Sequence, residues 1–451
     1  MRPKLSSRAP WRASLVVIAV LAAAIPVAHA AAPDSSEKKP YVVILKNRSA
    51  NAKGVADDHS RRFGVKLKMV YDKGLRGYAG SMTDEDALKV AREPGVVIAP
   101  DTEVTGFGSQ NVAVTPSPYV ALPTGWGYHL DRVDQRNSLA NSTQAEKGWY
   151  NYTKTGDQVT AYVIDSGVNY KHIEFGTRGS PGFDAYRAKT HADFGKDCNG
   201  HGTHVAGILG GKNFGVAKDV NIVSVRVLDC NGSGSVSNVV AGINYVTGIK
   251  RANPGKAMVA NMSLGGGANA SLDQAVRDSI TAGIPYAIAA GNGNIFGSGQ
   301  DACNVSPARV ATALTVGATD TNDTRTTWSN YGSCVDIYAP GNNIVSSYGK
   351  TQDSSAWTPL SGTSMAAPAV AGVAALLLQI DSGASPGQVG HAMGQVATLD
   401  KVNGTNVVGA KLLYSPWTDP DLVTAADKLN DSVPTPPPPP PRSCVLFCLF
   451  G

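Results

Sequence analysis

The sequence predicts an α/β fold, a parallel sheet covered by helices on both faces, preceded by a small α+β unit. Three observations carry this. From about Trp126 to Ser415, strand-like runs alternate with longer runs of helical period, the pattern of a parallel sheet with crossover helices. Before that, residues of about 40–106 follow a different order, with several strand-like runs around an acidic helix start. The composition completes the picture: 17% charged residues, 42% hydrophobic residues and 49 glycines describe a compact, loop-rich globular chain. At 451 residues it has room for one large domain and smaller units.

Taken in order, residues 1–30 read as an export signal. Arg2, Lys4, Arg8 and Arg12 precede the apolar run SLVVIAVLAAAIPV, and Ala28-His29-Ala30 forms a small-x-small cleavage site. The run is short for a membrane span of about 20 residues, and no later stretch is read as long and apolar enough, so a secreted protein without a membrane anchor is expected. The net charge of +5 is modest for this length and partly sits in the leader, which argues against nucleic acid as a partner.

Residues 31–107 hold the small unit. Tyr41-Val42-Val43-Ile44-Leu45, VKLKMVYDKG, LRGYAGSM and Val96-Val97-Ile98 read as strands, and Thr83 followed by Asp84, Glu85 and Asp86 caps a helix. Residues 108–125, through SQNVAVTPSPYVALPTG, lose pattern and read as a linker containing the maturation region. Residues 126–418 form the large domain. Its strand-like runs are VTAYVID, VNIVSVRVLD, AMVANMSLG, PYAIAAG, ALTVGATD and VDIYAPG. Its helical runs include HGTHVAGILGG, SVSNVVAGINYVTGIKRA and ASLDQAVRDSITAGI, the last read as opening on a Ser271-x-x-Gln274 capping box. Residues 419–451 are a tail with a stiff proline spacer, Pro436 to Pro441, and two cysteines, Cys444 and Cys448.

The densest chemistry lies at Leu360-Ser361-Gly362-Thr363-Ser364-Met365-Ala366-Ala367-Pro368. A small-residue turn opens into an apolar helix, and Pro368 is expected in its first turn. Ser364 then sits at a helix N-terminus, where free N–H groups and the dipole favour an oxyanion. A lone serine there is ordinarily a cap. Here other segments supply its partners. Ligands of parallel sheets bind beyond the carboxyl ends of the strands. Asp165 ends VTAYVID, Gly265 follows AMVANMSL, Asn292 follows PYAIAAG, and His201 begins a helix in DCNGHGTHVAG. Neutral His201 would take the Ser364 hydroxyl proton, buried Asp165 would hold its tautomer, and Asn292 would donate to the developing oxyanion.

The order Asp, His, Ser, with the stretches VIDSGVN, GHGTHVAG, NMSLGGG, AAGNGN and SGTSMAAP, resembles the subtilase family of serine proteases. WGYHLDRVDQR, VLDCNGSGS and KLLYS are similar to its proteinase K and aqualysin branch. The resemblance implies a subtilisin-like fold and a secreted, monomeric serine endopeptidase of broad specificity acting on proteins and peptides. Asp165, His201 and Ser364 would be the triad and Asn292 the oxyanion donor. Ser263, Leu264 and Gly265 with Ala289, Ala290 and Gly291 would line a pocket for a large apolar residue, and Gly232, Ser233 and Gly234 would pair with the substrate backbone. The small unit resembles the ferredoxin-like inhibitor-type propeptide, an intramolecular chaperone and inhibitor removed by self-cleavage.

Four cysteines fall in the large domain, and spacing alone allows three pairings. The resemblance implies Cys198–Cys230 and Cys303–Cys334. It also implies structural calcium at Ala311, Ala313 and Asp336, with a second site at Asp131, Asp134 and Gln135. A zinc set of Cys198, His201 and His204 is weighed against the missing HEXXH pattern and missing fourth ligand, and no catalytic metal is expected. A fold retained without activity is disfavoured, because every catalytic position is filled.

Overall fold

The computed structural model describes residues 36–107, 127–139, 150–294, 297–350, 354–405, 409–416 and 418–431. The export signal, the linker 108–125 and the proline-rich tail with Cys444 and Cys448 lie outside the described residues.

The small unit runs β1 (Lys39–Leu45), α1 (Ala52–Phe63), β2 (Lys66–Tyr71), β3 (Gly77–Met82), α2 (Asp84–Ala91) and β4 (Val96–Pro100). Its four strands form a sheet in the order β2-β3-β1-β4, with every pairing antiparallel. Thr83 caps α2 as expected, accepting from the Asp86 N–H. The chain does not leave this unit at β4. It continues into β5 (Glu103–Gly106), which belongs to a sheet of the large domain.

The large domain follows with α3 (Tyr128–Val133), β6 (Thr160–Asp165), β7 (Gly179–Asp184), α4 (His201–Gly210), β8 (Asn221–Arg226), β9 (Ser233–Ser235) and α5 (Val236–Ala252). Next come β10 (Met258–Met262), β11 (Leu264–Gly267), α6 (Ala270–Thr281), β12 (Tyr286–Ala289), β13 (Val305–Ser306), β14 (Leu314–Thr319) and β15 (Ile337–Pro340). The order closes with β16 (Ile344–Ser347), β17 (Trp357–Leu360), α7 (Thr363–Ile380), α8 (Pro386–Val396), β18 (Thr398–Leu399), β19 (Lys411–Leu412) and α9 (Asp419–Asn430).

The main sheet has nine strands in the order β18-β19-β15-β14-β12-β10-β6-β8-β7. All pairings are parallel except β18 with β19. Alternation along β6 shows why both faces are covered. Ala161 and Val163 join a core with α4, α7 and α8, while Tyr162 and Ile164 join a second core with α5 and α6. Val236, Val239, Val240, Ile243 and Val246, at helical spacing along one face of α5, are buried there. The same core takes Val42, Ile44, Tyr71 and Leu75 from the small unit. Strand β6 lies between β8 and β10, where the winding reverses, so its carboxyl end is the switch point at which such sheets bind ligands.

Three expectations are corrected. Helix α6 is capped by Asn269, whose carboxamide accepts from Leu272 N, and not by Ser271. The Ser271 hydroxyl instead donates to Val42 O at 2.7 Å, tying α6 to β1. A capping box does occur at α8, between Ser385 and Gln388. Second, α7 starts at Thr363, so Pro368 lies in the second turn rather than the first. Proline has no N–H to give to the carbonyl four residues back, which is that of Ser364. The Ser263 hydroxyl takes over that role, donating to Ser364 O at 2.9 Å. Third, α7 is long and apolar enough to cross a membrane by length and composition, contrary to the sequence reading. Its side chains are buried by the protein itself, as the central helix of the larger core.

Candidate active site

Four loops at the carboxyl edge of the sheet bring the expected residues together. Asp165, fully buried at the end of β6, accepts from His201 Nδ1 at 2.7 Å and from Ser166 N at 2.7 Å. His201 can approach because Gly202, next in α4, carries no Cβ; one there would run into Gly167 O. Burial opposes protonation of His201, but the Asp165 carboxylate outweighs it, and the imidazole pKa is raised above its ordinary 6.5. The turn before His201 is held by Asp197, a buried residue that sequence reasoning missed. Its carboxylate accepts from Asn199 N, Gly200 N, Thr203 N and the Thr203 and Ser166 hydroxyls.

Ser364 is the second residue of α7, with its hydroxyl donated to Ser263 O at 2.9 Å. Among the described residues, His201 Nε2 has no hydrogen-bond partner. The Asp–His pair is therefore assembled, while the Ser–His contact awaits rotation of the serine side chain. Asn292 faces the same space. Its Oδ1 accepts from Thr363 N at 2.9 Å and Thr363 Oγ1 at 2.8 Å, which leaves Nδ2 pointing into the cleft. Thr363 was missed from sequence, although it adjoins Ser364 in the motif. Asn330, also missed, braces this loop by accepting from Gly293 N and donating to Ala290 O.

The cleft holds the chain's own segment. Strand β5 lies antiparallel between β9 and β11, with Thr105 opposite Ser233 and Gly265, Val104 opposite Gly234, and Gly106 opposite Leu264. Gly106 N donates to Gly232 O, and Phe107 N to Ser263 O, both at 3.1 Å. The Phe107 ring enters the expected pocket: a Cβ on Gly265 would stand 2.7 Å from it, and one on Gly291 3.8 Å. Ala289, the last residue of β12, and Ala290 after it are both buried. The Phe107 carbonyl oxygen accepts from Asn292 Nδ2 at 2.6 Å. A Cβ on Gly362 would run into that same oxygen, so glycine is required where the Phe107 carbonyl lies against the start of α7.

Both expected disulfides are present, Cys198–Cys230 and Cys303–Cys334. The residues weighed for zinc have other commitments: Cys198 is bridged, His201 binds Asp165, and His204 Nε2 bonds Thr358 O at 2.9 Å. Burial pushes the His204 pKa down to about 3. Ala311, Ala313 and Asp336 line one cavity of about 770 Å³, where Asp336 brings a carboxylate of the kind calcium takes and Lys411 also stands on the wall. Burial of the Asp336 carboxyl pushes its pKa up to about 7, although the residue as a whole keeps exposed surface. One of its oxygens accepts from Thr315 N at 2.8 Å. At the second expected site the Gln135 amide donates to Asp131. Asp134 accepts from Asn151 N and Nδ2, and burial raises it to about 7.

A doubly covered parallel sheet, with an aspartate-bound histidine and a helix-start serine at its switch point, defines an α/β protein of the serine-hydrolase kind. The family comparison makes this specific. The profile of the subtilase family (Peptidase_S8) matches residues 156–412, more than half of the chain. An alkaline serine exoprotease A of Vibrio alginolyticus is 43% identical over 373 residues, 81% of this chain and 63% of that protein. An extracellular serine proteinase of Thermus sp. (strain Rt41A) is 45% identical over 356 residues, 78% of this chain and 79% of that one. Among solved structures, a cold adapted subtilisin-like serine proteinase is 47% identical with a TM-score of 0.57, covering 65% of this chain and 98% of its own. The chain belongs to the subtilase family and is a subtilisin-like serine protease.

Proposed function

We propose that the chain is a secreted endopeptidase, made as a proenzyme, that cuts its own Phe107–Gly108 bond and then cleaves proteins after large apolar residues. The observation that carries this reading is the Phe107 carbonyl on Asn292, with residues 103–107 added as a strand to the cleft. Residues 31–107 are then the propeptide, which guides folding and blocks the cleft until released. Export is supported by the leader and by the Thermus relative, which is named extracellular.

In this reading Ser364 Oγ turns from Ser263 O, passes its proton to His201 Nε2 and attacks the Phe107 carbonyl carbon. Asn292 Nδ2 and the Ser364 backbone N–H hold the oxyanion. Asp165 fixes the His201 tautomer and stabilises the imidazolium, which then protonates the departing Gly108 nitrogen. Water, activated by His201, hydrolyses the acyl-enzyme. Strand addition through Gly232 to Gly234 and Ser263 to Gly265 grips backbone and supports broad specificity; the glycine-walled pocket supports large apolar residues before the cut. Calcium, when bound at Ala311, Ala313 and Asp336, supplies charge that offsets the crowded carboxylate and stabilises the fold. Asp131, Asp134 and Gln135 form a second oxygen-bearing candidate.

The test is Ser364→Ala, which removes the nucleophile and little volume. Expressed in a host lacking other secreted proteases, it should accumulate as an export-processed precursor, while the unaltered chain yields a product beginning at Gly108. A product beginning elsewhere refutes the assigned bond, and normal maturation of Ser364→Ala refutes self-cleavage by Ser364.

A further inference from the structure

The two disulfides sit in different electrostatic surroundings. At Cys303 Sγ the hydrogen-bonding neighbour is the uncharged Ser333 hydroxyl, 3.6 Å away. At Cys198–Cys230 it is a guanidinium: Arg226 Nη2 donates to Cys198 Sγ at 3.1 Å and lies 3.7 Å from Cys230 Sγ. Arg226 is buried at the end of β8 and held on three sides. Its Nε donates to Leu228 O at 3.3 Å, its Nη1 lies 3.5 Å from Asp184 Oδ2, and its charged carbon stands 5.2 Å from the centre of the Tyr186 ring. The bridge is also lopsided in exposure. Cys230 is exposed, whereas Cys198 is only partly so.

We propose that Cys198–Cys230 is a thiol-reducible bridge, with Cys230 the sulfur attacked and Cys198 the leaving thiolate held by Arg226. Thiol–disulfide exchange is faster when the leaving sulfur is the better thiolate, and a cation beside a sulfur makes it so. The thiolate of an external dithiol bonds to exposed Cys230 Sγ, and the S–S electron pair departs on Cys198. The second thiol of the reductant, deprotonated, then displaces Cys230 from the mixed disulfide. Both protein sulfurs end reduced and the dithiol ends as its own disulfide. Asp184 offsets part of the guanidinium charge, so the acceleration is moderate.

The bridge sits where its loss would be felt. Cys198 opens the turn whose Asn199 accepts from His201 N, and Asn199 Nδ2 in turn donates to Cys230 O at 3.1 Å. Two residues beyond Cys230, Gly232 O accepts from the strand in the cleft. Reduction therefore loosens the His201 turn and the substrate-pairing edge together, and lowers turnover in a way that reoxidation reverses. That consequence rests on the function proposed above; the reducibility of the bridge does not.

The full-length Ser364→Ala chain, which avoids self-digestion, is exposed to dithiothreitol for timed intervals, alkylated and mapped by mass spectrometry. Cys198 and Cys230 should become alkylated well before Cys303 and Cys334. Arg226→Gln should slow opening of the first bridge by about threefold or more, with Arg226→Lys between the two, as expected for a leaving thiolate that has lost its cation. Equal rates for the two bridges, or an unchanged rate in Arg226→Gln, overturn the proposal. If Arg226→Gln does not fold, the unaltered residue set still decides: glutathione, a monothiol, should leave its first adduct on Cys230, and an adduct on Cys198 overturns the assignment.

Discussion

The strongest demand on the site falls on Thr363, which works through the amide of Asn292. Its hydroxyl donates to Asn292 Oδ1 at 2.8 Å and accepts from buried Gly291 N at 3.1 Å. Thr363→Val keeps the shape and removes both functions. Leaving the Gly291 N–H without its acceptor costs about 1–3 kcal/mol of stability. The catalytic effect has an upper bound, since complete loss of an oxyanion donor lowers turnover by about 10²–10³, a range known from subtilisin itself. Asn292 keeps the Thr363 N–H as a second anchor at 2.9 Å, so its amide is loosened and not lost. The expected fall in kcat is therefore about 5- to 30-fold, with KM nearly unchanged because the interaction matters most in the transition state. Steady-state kinetics on a peptide anilide with phenylalanine before the cut, normalised by active-site titration, measure it. A double-mutant cycle makes the test sharp: in an Asn292→Ala background, Thr363→Val should alter kcat little. A full effect in that background, or a change confined to KM, refutes the positioning argument.

Three further outcomes follow from the same geometry. His201 must be neutral to act as base and its pKa is raised, so kcat/KM should rise with pH through an inflection above 6.5; an inflection below 6.5 contradicts the Asp165 pairing. Asn244 Oδ1 accepts from Lys73 N, Gly74 N and Leu75 N, so Asn244→Ala should weaken the hold on the cleaved small unit by about 2 kcal/mol, roughly thirtyfold in affinity. Its activity should then appear sooner after the cut, and an unchanged lag refutes that interface. Asp336 has a folded pKa of about 7 against an ordinary 3.8, so the folded state binds the extra proton between these values. Stability without calcium should fall as pH rises across that window, and calcium should restore it. Melting temperatures that ignore calcium, or that keep the same calcium dependence in Asp336→Ala, refute the site.

Much of this protein is written locally. The strand ends that carry Asp165 and Asn292, the helix starts that carry His201 and Ser364, and the alternation of elements between them are properties of short segments. Period and turn chemistry suffice to place them, and the parallel sheet then brings its carboxyl ends to one edge. Where local signals compete, segment reading misjudged. Asn269 outranked Ser271 as a cap because the Ser271 hydroxyl is taken by Val42, a residue 229 positions away. Pro368 was expected in the first turn because its missing N–H strands a carbonyl, yet Ser263, 101 positions from Ser364, supplies the donor. Phe107 meeting Asn292 across 185 positions, Thr363 orienting that amide and Arg226 facing a disulfide share this character. Each is a side-chain contact whose existence depends on how distant segments pack and which rotamers the packing leaves open. The sequence by itself therefore determined the fold class, the order of the motifs and the residues gathered at the sheet edge. Only tertiary structure decided which oxygen each hydroxyl serves and which bond lies over the serine, because directional contacts are set by distances between segments that no local pattern encodes.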